Sequence, residues 1–406
     1  MKKILVFILI VFVLAIVGYF FWSLKDKDLK LVPKDADAVV LIDVKKLKEQ
    51  YFFSSLKHPS VWFEGSRLNS KKNGLIIPDY IQIFHLENTN FSQWYSIFEI
   101  KNKDNFLEFL KGKGFKIAEN NIYKKDRFSV KIEASKCVIG FSNSSFEEKS
   151  NLILKSKTKG LYADQLINNS VASVSYFAKS KIHKFAVYLN DDNIEIKTKT
   201  VQDIFSSQIS DLEKQTQFLK LKLDSKNAKI VSKLFNENLI DSIDINSVSA
   251  ISELESVNDK IVSYAYDDNF NEVEKVSYQK LVQPNYTINV QSSDVEKLWS
   301  YFQDKKWINA ENQFTAIPFQ PNVIKKNSFE ISIQSTRKNI NFGESPSGSF
   351  ILLKNNLLFV DLLKVLSPSD KKSISKVNYL YYGNKGDYYY LKLQLKKDKL
   401  PFILSQ

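Results

Sequence analysis

Residues Trp94 to Ile117 read WYSIFEIKNKDNFLEFLKGKGFKI, and this stretch decides the fold class. Trp94 to Ile100 is rich in aromatic and branched side chains and predicts a strand. Asn102 or Asp104 then caps a helix whose Phe106, Leu107 and Leu110 form one apolar face. Gly112 and Gly114 end the helix, and Phe115 to Ile117 opens the next strand. Strand, helix and strand within so short a span, followed by Phe128 to Ile132 and Lys136 to Phe141, predict antiparallel sheet with helices.

The same order recurs downstream. Tyr286 to Val290 (YTINV) leads into SSDVEKLWSYFQDKKWI, where Ser293 and Glu296 suit a capping box and Val295, Leu298, Trp299 and Phe302 share a face. Aligning Asp104 with Asp294 places Phe109 opposite Trp299. A second echo is a hairpin: Phe185 to Thr200 turns at Asp191-Asp192-Asn193, and Val377 to Lys396 turns between Gly383 and Gly386. The fold class expected is α+β, with two related halves of antiparallel sheet carrying helices on one face. The halves are 31–200 and 245–406, joined by a helical connection over 201–244. Such a long period is a domain duplication and not a solenoid.

The N-terminus sets the expected compartment. Ile4 to Trp22 is an uncharged apolar run which as a helix extends about 28 Å, near the hydrocarbon thickness of a bilayer. Lys2 and Lys3 precede it, and Tyr19 to Trp22 fall where an aromatic belt meets the interface. The run reads as a single-pass transmembrane anchor over 1–24 in the cytoplasmic membrane, with 25–30 as a spacer and the C-terminal domain outside. A cleaved signal peptide fits less well, because bulky aromatics and not small residues end the run. Lys25, Lys27 and Lys30 leave the inverted orientation open.

The opening PKDADAVVLIDVKKL, with Pro33, Asp35, Ala36, Asp43 and Leu47, then Gly74-Leu75, Phe84 and IFEIKNKDNFLEFLKGKGF, resembles a family of exported cell-envelope proteins of Bacteroidota. The resemblance covers roughly the first third of the chain. It implies envelope location and this fold, and carries no active site. Family members are often lipoproteins, whereas no cysteine follows the apolar run here.

Composition bounds the function. The chain has 406 residues, 44% hydrophobic and 25% charged, enough for a sizeable core. Its net charge of +13 comes from 58 basic and 45 acidic residues that alternate along the chain. That excess could draw an anionic envelope polymer, although a solvated surface explains it as well, including the dense run Lys111 to Arg127. There are three Arg (67, 127 and 337), so nucleic acid is not an expected partner. Cys137 stands alone and reads as a small buried hydrophobe.

No catalytic, cofactor or metal-binding residue is assigned. His58, His85 and His183 lack short-range ligand spacing. Lys111-Gly112-Lys113-Gly114 follows a helix where a phosphate loop would precede one, and Ser345 to Ser349 is a turn former. Asp267-Asp268-Asn269-Phe270-Asn271-Glu272 offers oxygen ligands but lacks the glycine and twelfth-position glutamate of a calcium loop. It reads as a turn between strands Ile261–Tyr266 and Val273–Lys280. Trp62, Trp94, Trp299 and Trp307 invite a glycan reading, but packing explains Trp94 and Trp299 better. The function expected is a tethered, non-catalytic module that binds or scaffolds another envelope component. An envelope hydrolase with a scattered site, and an electrostatic polymer binder, are the alternatives.

Overall fold

The computed structural model describes residues 25–59, 73–119, 121–178, 181–198, 205–234, 243–317, 322–335, 340, 342–343, 348–356, 358–359, 368–397 and 400–404. The chain divides into two compact units, Met1–Asp191 with Lys399–Gln406, and Asp192–Asp398.

The first unit contains strands β1 (Asp28–Leu29), β2 (Ala36–Asp43), β3 (Leu75–Ile76), β4 (Tyr80–Leu86), β5 (Trp94–Ile100), β6 (Lys116–Ile117), β7 (Ile122–Lys125), β8 (Phe128–Glu133), β9 (Lys136–Phe141), β10 (Leu161–Tyr162), β11 (Ala172–Ala178) and β12 (Lys181–Leu189). Its helices are α1 (Val44–Lys57), α2 (Lys103–Gly112), α3 (Phe146–Lys155) and α4 (Ala163–Leu166). Antiparallel pairing gives the spatial order β12-β11-β2-β4-β5-β9-β8-β7-β6. The short β3 also pairs with β5, while β1 and β10 pair separately.

In the second unit the strands are β13 (Asn193–Lys197), β14 (Leu219–Asp224), β15 (Ile245–Tyr266), β16 (Glu272–Ser292), β17 (Asn322–Lys326), β18 (Glu330–Ser335), β19 (Ser349–Lys354), β20 (Val377–Lys385) and β21 (Tyr388–Leu395). Helices α5 (Ser206–Glu213), α6 (Ser225–Leu234), α7 (Val295–Asp304) and α8 (Pro368–Ser375) complete it. Its spatial order is β13-β21-β20-β19-β14-β15-β16-β18-β17, again antiparallel throughout.

The two orders share a topology. The path β12-β11-β2-β4-β5-β9-β8 of the first unit corresponds to β20-β19-β14-β15-β16-β18-β17 of the second, strand for strand in chain order. The helices after β2 and β5 correspond to those after β14 and β16. Local chemistry agrees with the match. Asp43 ends β2 and accepts from the Lys46 amide, while Asp224 ends β14 and accepts from the Asn227 amide. Asn102 caps α2 and Asp294 caps α7, each through the amide three residues on. The exits coincide as well: Phe115 N donates to Leu110 O, and Trp307 N donates to Phe302 O.

Several expectations are corrected. The described residues are mostly antiparallel sheet, with 48% strand and 23% helix, so the expected α+β class does not hold. Nor do the helices share one face. In β5, Tyr95 and Ile97 pack with Phe146 and Ile153 of α3, while Phe98 and Ile100 pack with Phe106 and Leu110 of α2. Alternation sends successive side chains to opposite faces, and both sets are apolar, so both faces are covered. The caps align Asn102, not Asp104, with Asp294. The box of Ser293 and Glu296 is absent, because Ser293 donates to Asp244 and Glu296 pairs with Lys326.

The stretch 201–244, read as a helical connection, holds β14 between α5 and α6, so the second repeat opens at Leu219. The spacer 25–30 is folded, with Leu29 buried in the first core. Among the described residues no helix is long and apolar enough to cross a membrane. The run Ile4 to Trp22, where a spanning helix was expected, lies outside the described residues.

Candidate functional site

One element departs from the shared plan. In the first unit β4 and β5 are 7 residues each and join through the loop Glu87–Gln93. Their counterparts β15 and β16 run to 22 and 21 residues. β14 covers β15 only at Ser247–Ser252, and β18 covers β16 only at Thr287–Gln291. Beyond those rows, among the described residues, the two strands pair with each other alone, out to Tyr266 opposite Glu272. At about 3.4 Å per residue, the fourteen rows from Glu253 outward project roughly 45 Å. Every residue from Asn258 to Lys280 is exposed.

The ribbon carries large side chains in water. Tyr264 is 66% exposed, Tyr266 72%, Phe270 86% and Tyr278 70%. Val262 opposes Val276, Tyr264 opposes Glu274, Tyr266 opposes Glu272 and Lys260 opposes Tyr278. Opposed residues share a face, and so do alternate residues along a strand. Three tyrosines and two valines therefore line one face. A two-stranded ribbon is marginal by itself in water, so exposing this much aromatic surface has no role in its own folding.

At the tip, the Asp267 carboxylate accepts from the amides of Asn269 and Asn271. Donation from the Asn271 backbone and side chain holds Asp267 below the ordinary carboxylate range. The oxygens weighed as calcium ligands thus build the turn. Phe270 sits in that turn at φ 61°, a conformation bulky L residues rarely adopt. The hairpin and its turn were legible in the sequence, whereas the missing flanking strands were not.

Elsewhere the singled-out residues are structural. Nδ1 of His85 lies 2.7 Å from Asp37 Oδ1, and Nε2 lies 3.0 Å from Asn90 O and 3.1 Å from Thr89 Oγ1. Both ring nitrogens are engaged in tying down the β4–β5 turn. His183 shares a row with His85 through Tyr176 and Ala38, which puts it three strands away, about 14 Å. His58 caps α1. Among the described residues no group of three or more His, Cys, Asp and Glu gathers to hold a metal ion.

Cys137 is buried against Phe106 and Ile132, and burial pushes its thiol up to about 12. Trp94 is half-buried against Phe91 and His85, the core place being taken by Tyr95. Trp299 and Trp307 pack against the second core, and Trp62 and Ser345 lie outside the described residues.

Two clefts carry charged side chains. One of 360 Å³ in the first unit has Asp26, Asp28, Asp79 and Glu99 on its wall, but Asp26 is bound by Lys30 and Asp79 by Lys45 and the Asp26 amide. One of 280 Å³ in the second unit is lined by Glu195, Lys197, Glu213, Tyr390 and Lys392. Its Glu195 accepts from Tyr390 and pairs with Lys197. In each cleft, ion pairs already engage part of the charged wall. Comparison with protein-family models, curated proteins and solved structures gives no match for the chain.

Proposed function

We propose that this chain is an envelope protein held at the cytoplasmic membrane by its apolar segment Ile4 to Trp22, and that it works as a non-catalytic binding module through the β15–β16 ribbon. The observation that carries the reading is the aromatic ribbon itself, an extension that the first unit folds without. The resemblance of the opening to exported envelope proteins supports the compartment. Charge argues against an anionic polymer as the ribbon's target. Asp259, Asp267, Asp268, Glu272 and Glu274 outnumber Lys260, Lys275 and Lys280 there, in a chain otherwise rich in Lys.

The test places a photo-crosslinking amino acid at Tyr264 in the full chain in its own membranes. A defined protein adduct is expected that persists at high salt. The protein so identified should fail to co-purify with a tagged chain in which Ser256 and Val282, which oppose each other, are joined by an Asn-Gly turn. Co-purification that survives shortening, or no adduct at all, defeats the reading.

A further inference from the structure

Among the described residues no strand pairs with the outer edges of the ribbon, Leu254–Tyr266 on β15 and Glu272–Pro284 on β16. Long edges of this kind are templates for another strand, and proteins usually guard them with bulges or short strands. Here the β15–β16 register runs without a bulge from Ser247 opposite Gln291 to the tip.

We propose that the partner of the β16 edge is a second copy of this chain, paired antiparallel about a two-fold axis at Ser277. The proposal rests on the reading of the ribbon as a binding surface and names its occupant.

Hydrogen-bond direction comes first. Tyr286 N donates outward to Ser335 Oγ on β18, while Asn285 O and Lys275 O face β15, accepting from Ser252 and Ser263. Even-numbered residues of β16 therefore point their backbone groups outward. Antiparallel self-pairing opposes only residues of like direction. Centred on Ser277, it sets Val276 against Tyr278 and Glu274 against Lys280, all outward-bonding, with Lys275 against Gln279 between them and Val273 against Leu281 just beyond. Every apolar residue in those pairs meets an apolar one, and the charge pairs are opposite in sign.

The pairing is isologous, so each favourable pair occurs twice and assembly closes at a dimer. It also joins the two tyrosine faces into one sheet surface. The β15 edge fails the same criterion. Its acids Glu253, Glu255 and Asp259 are odd-numbered and its Lys260 even, so no allowed antiparallel self-register brings Lys260 opposite an acid.

Ser277 then meets its own copy in a pair without backbone bonds, with Cα atoms about 4.5 Å apart, within disulfide reach. Ser277→Cys tests this in the full chain in detergent micelles, since the native Cys137 is buried. Mild oxidation is expected to give a disulfide-linked dimer far faster than Ser263→Cys on the neighbouring strand. In sedimentation equilibrium, Lys280→Glu should weaken the dimer about tenfold by opposing like charges twice. Adding Glu274→Lys should restore it.

Equal oxidation rates for the two cysteine variants, failure of the charge swap to restore, or a dimer that survives ribbon shortening would each overturn the proposal. A Tyr264 adduct to a different protein overturns this inference and leaves the binding reading standing. No ribbon adduct at all removes both.

Discussion

Gly74→Ala is the sharpest single-site perturbation of the first unit. Gly74 O accepts from the amides of Lys101 and Asn102, which moors the chain before β3 to the start of α2. Its φ is +73°, and an added Cβ would lie 2.4 Å from Asn102 O, 2.5 Å from Phe106 N and 2.9 Å from Phe106 Cα. Those are backbone atoms of the capped first turn, so no side-chain rotation relieves the contact. A left-handed conformation costs a non-glycine residue about 1–2 kcal/mol, and forcing atoms into a packed contact about 1–3 kcal/mol. Taking the middle of each range, the loss is roughly 3–4 kcal/mol. At about 2–4 °C per kcal/mol for a unit of this size, the unfolding temperature falls by roughly 6–16 °C.

Gly112→Ala is the matched control. It lies in the last turn of the same helix, where a Cβ would meet nothing within 4 Å. Better helix propensity should raise stability by up to about 1 kcal/mol. Differential scanning calorimetry of both variants beside wild type reads the opposite signs. If Gly74→Ala melts within about 2 °C of wild type, the close approach of this loop to α2 is not what anchors the helix.

Asp43→Ala and Asp224→Ala remove the equivalent caps of α1 and α6, and each should cost about 1 kcal/mol in chemical denaturation, Asp43 more because it also holds Lys25. At Asp224, burial alone would raise the carboxyl, but hydrogen bonds from the Asn227 backbone and side chain and from Ser349 outweigh it and hold it below its ordinary 3.8. Its contribution is therefore complete above that value and disappears as pH falls through the lower folded-state one. Acid titration followed by circular dichroism should show a smaller loss below pH 4 in Asp224→Asn than in wild type. Tyr381 is fully buried, and its hydroxyl has no hydrogen-bond partner among the described residues. Tyr381→Phe should accordingly raise stability by about 1 kcal/mol, seen as a higher melting temperature.

The strand–helix–strand unit was legible because its signals are local. Asn102 can cap, Phe106 and Leu110 repeat at helical spacing, and Gly114 can take the positive φ that the exit needs. The register between repeats was not, because Asn102 and Asp104 both suit a cap and the apolar spacing tolerates a shift of two. Backbone bonds settle it, since Phe115 and Trp307 close onto equivalent carbonyls. The start of the second repeat was missed for a related reason. LKLKLD in β14 alternates Leu with Lys between two helical patterns, and its terminal Asp224 went unread beside the matching Asp43.

The ribbon marks where local reading ends. Alternation in IVSYAY and EVEKVSY reports extended backbone with two unlike faces, and an ordinary sheet strand would show the same pattern. Whether a neighbour covers those faces is a property of chain elsewhere, here of where β14 and β18 stop. The duplication supplies the comparison that sequence lacked. The first unit closes the same seven-strand order with short β4 and β5 strands whose connecting loop is held by His85, so the fold does not require a long hairpin at this position. The second unit keeps one despite its exposed tyrosines, its bare edges and a phenylalanine held at positive φ. None of these stabilises the isolated chain, whereas a strand paired along the β16 edge would satisfy that edge and widen the tyrosine face into one sheet surface.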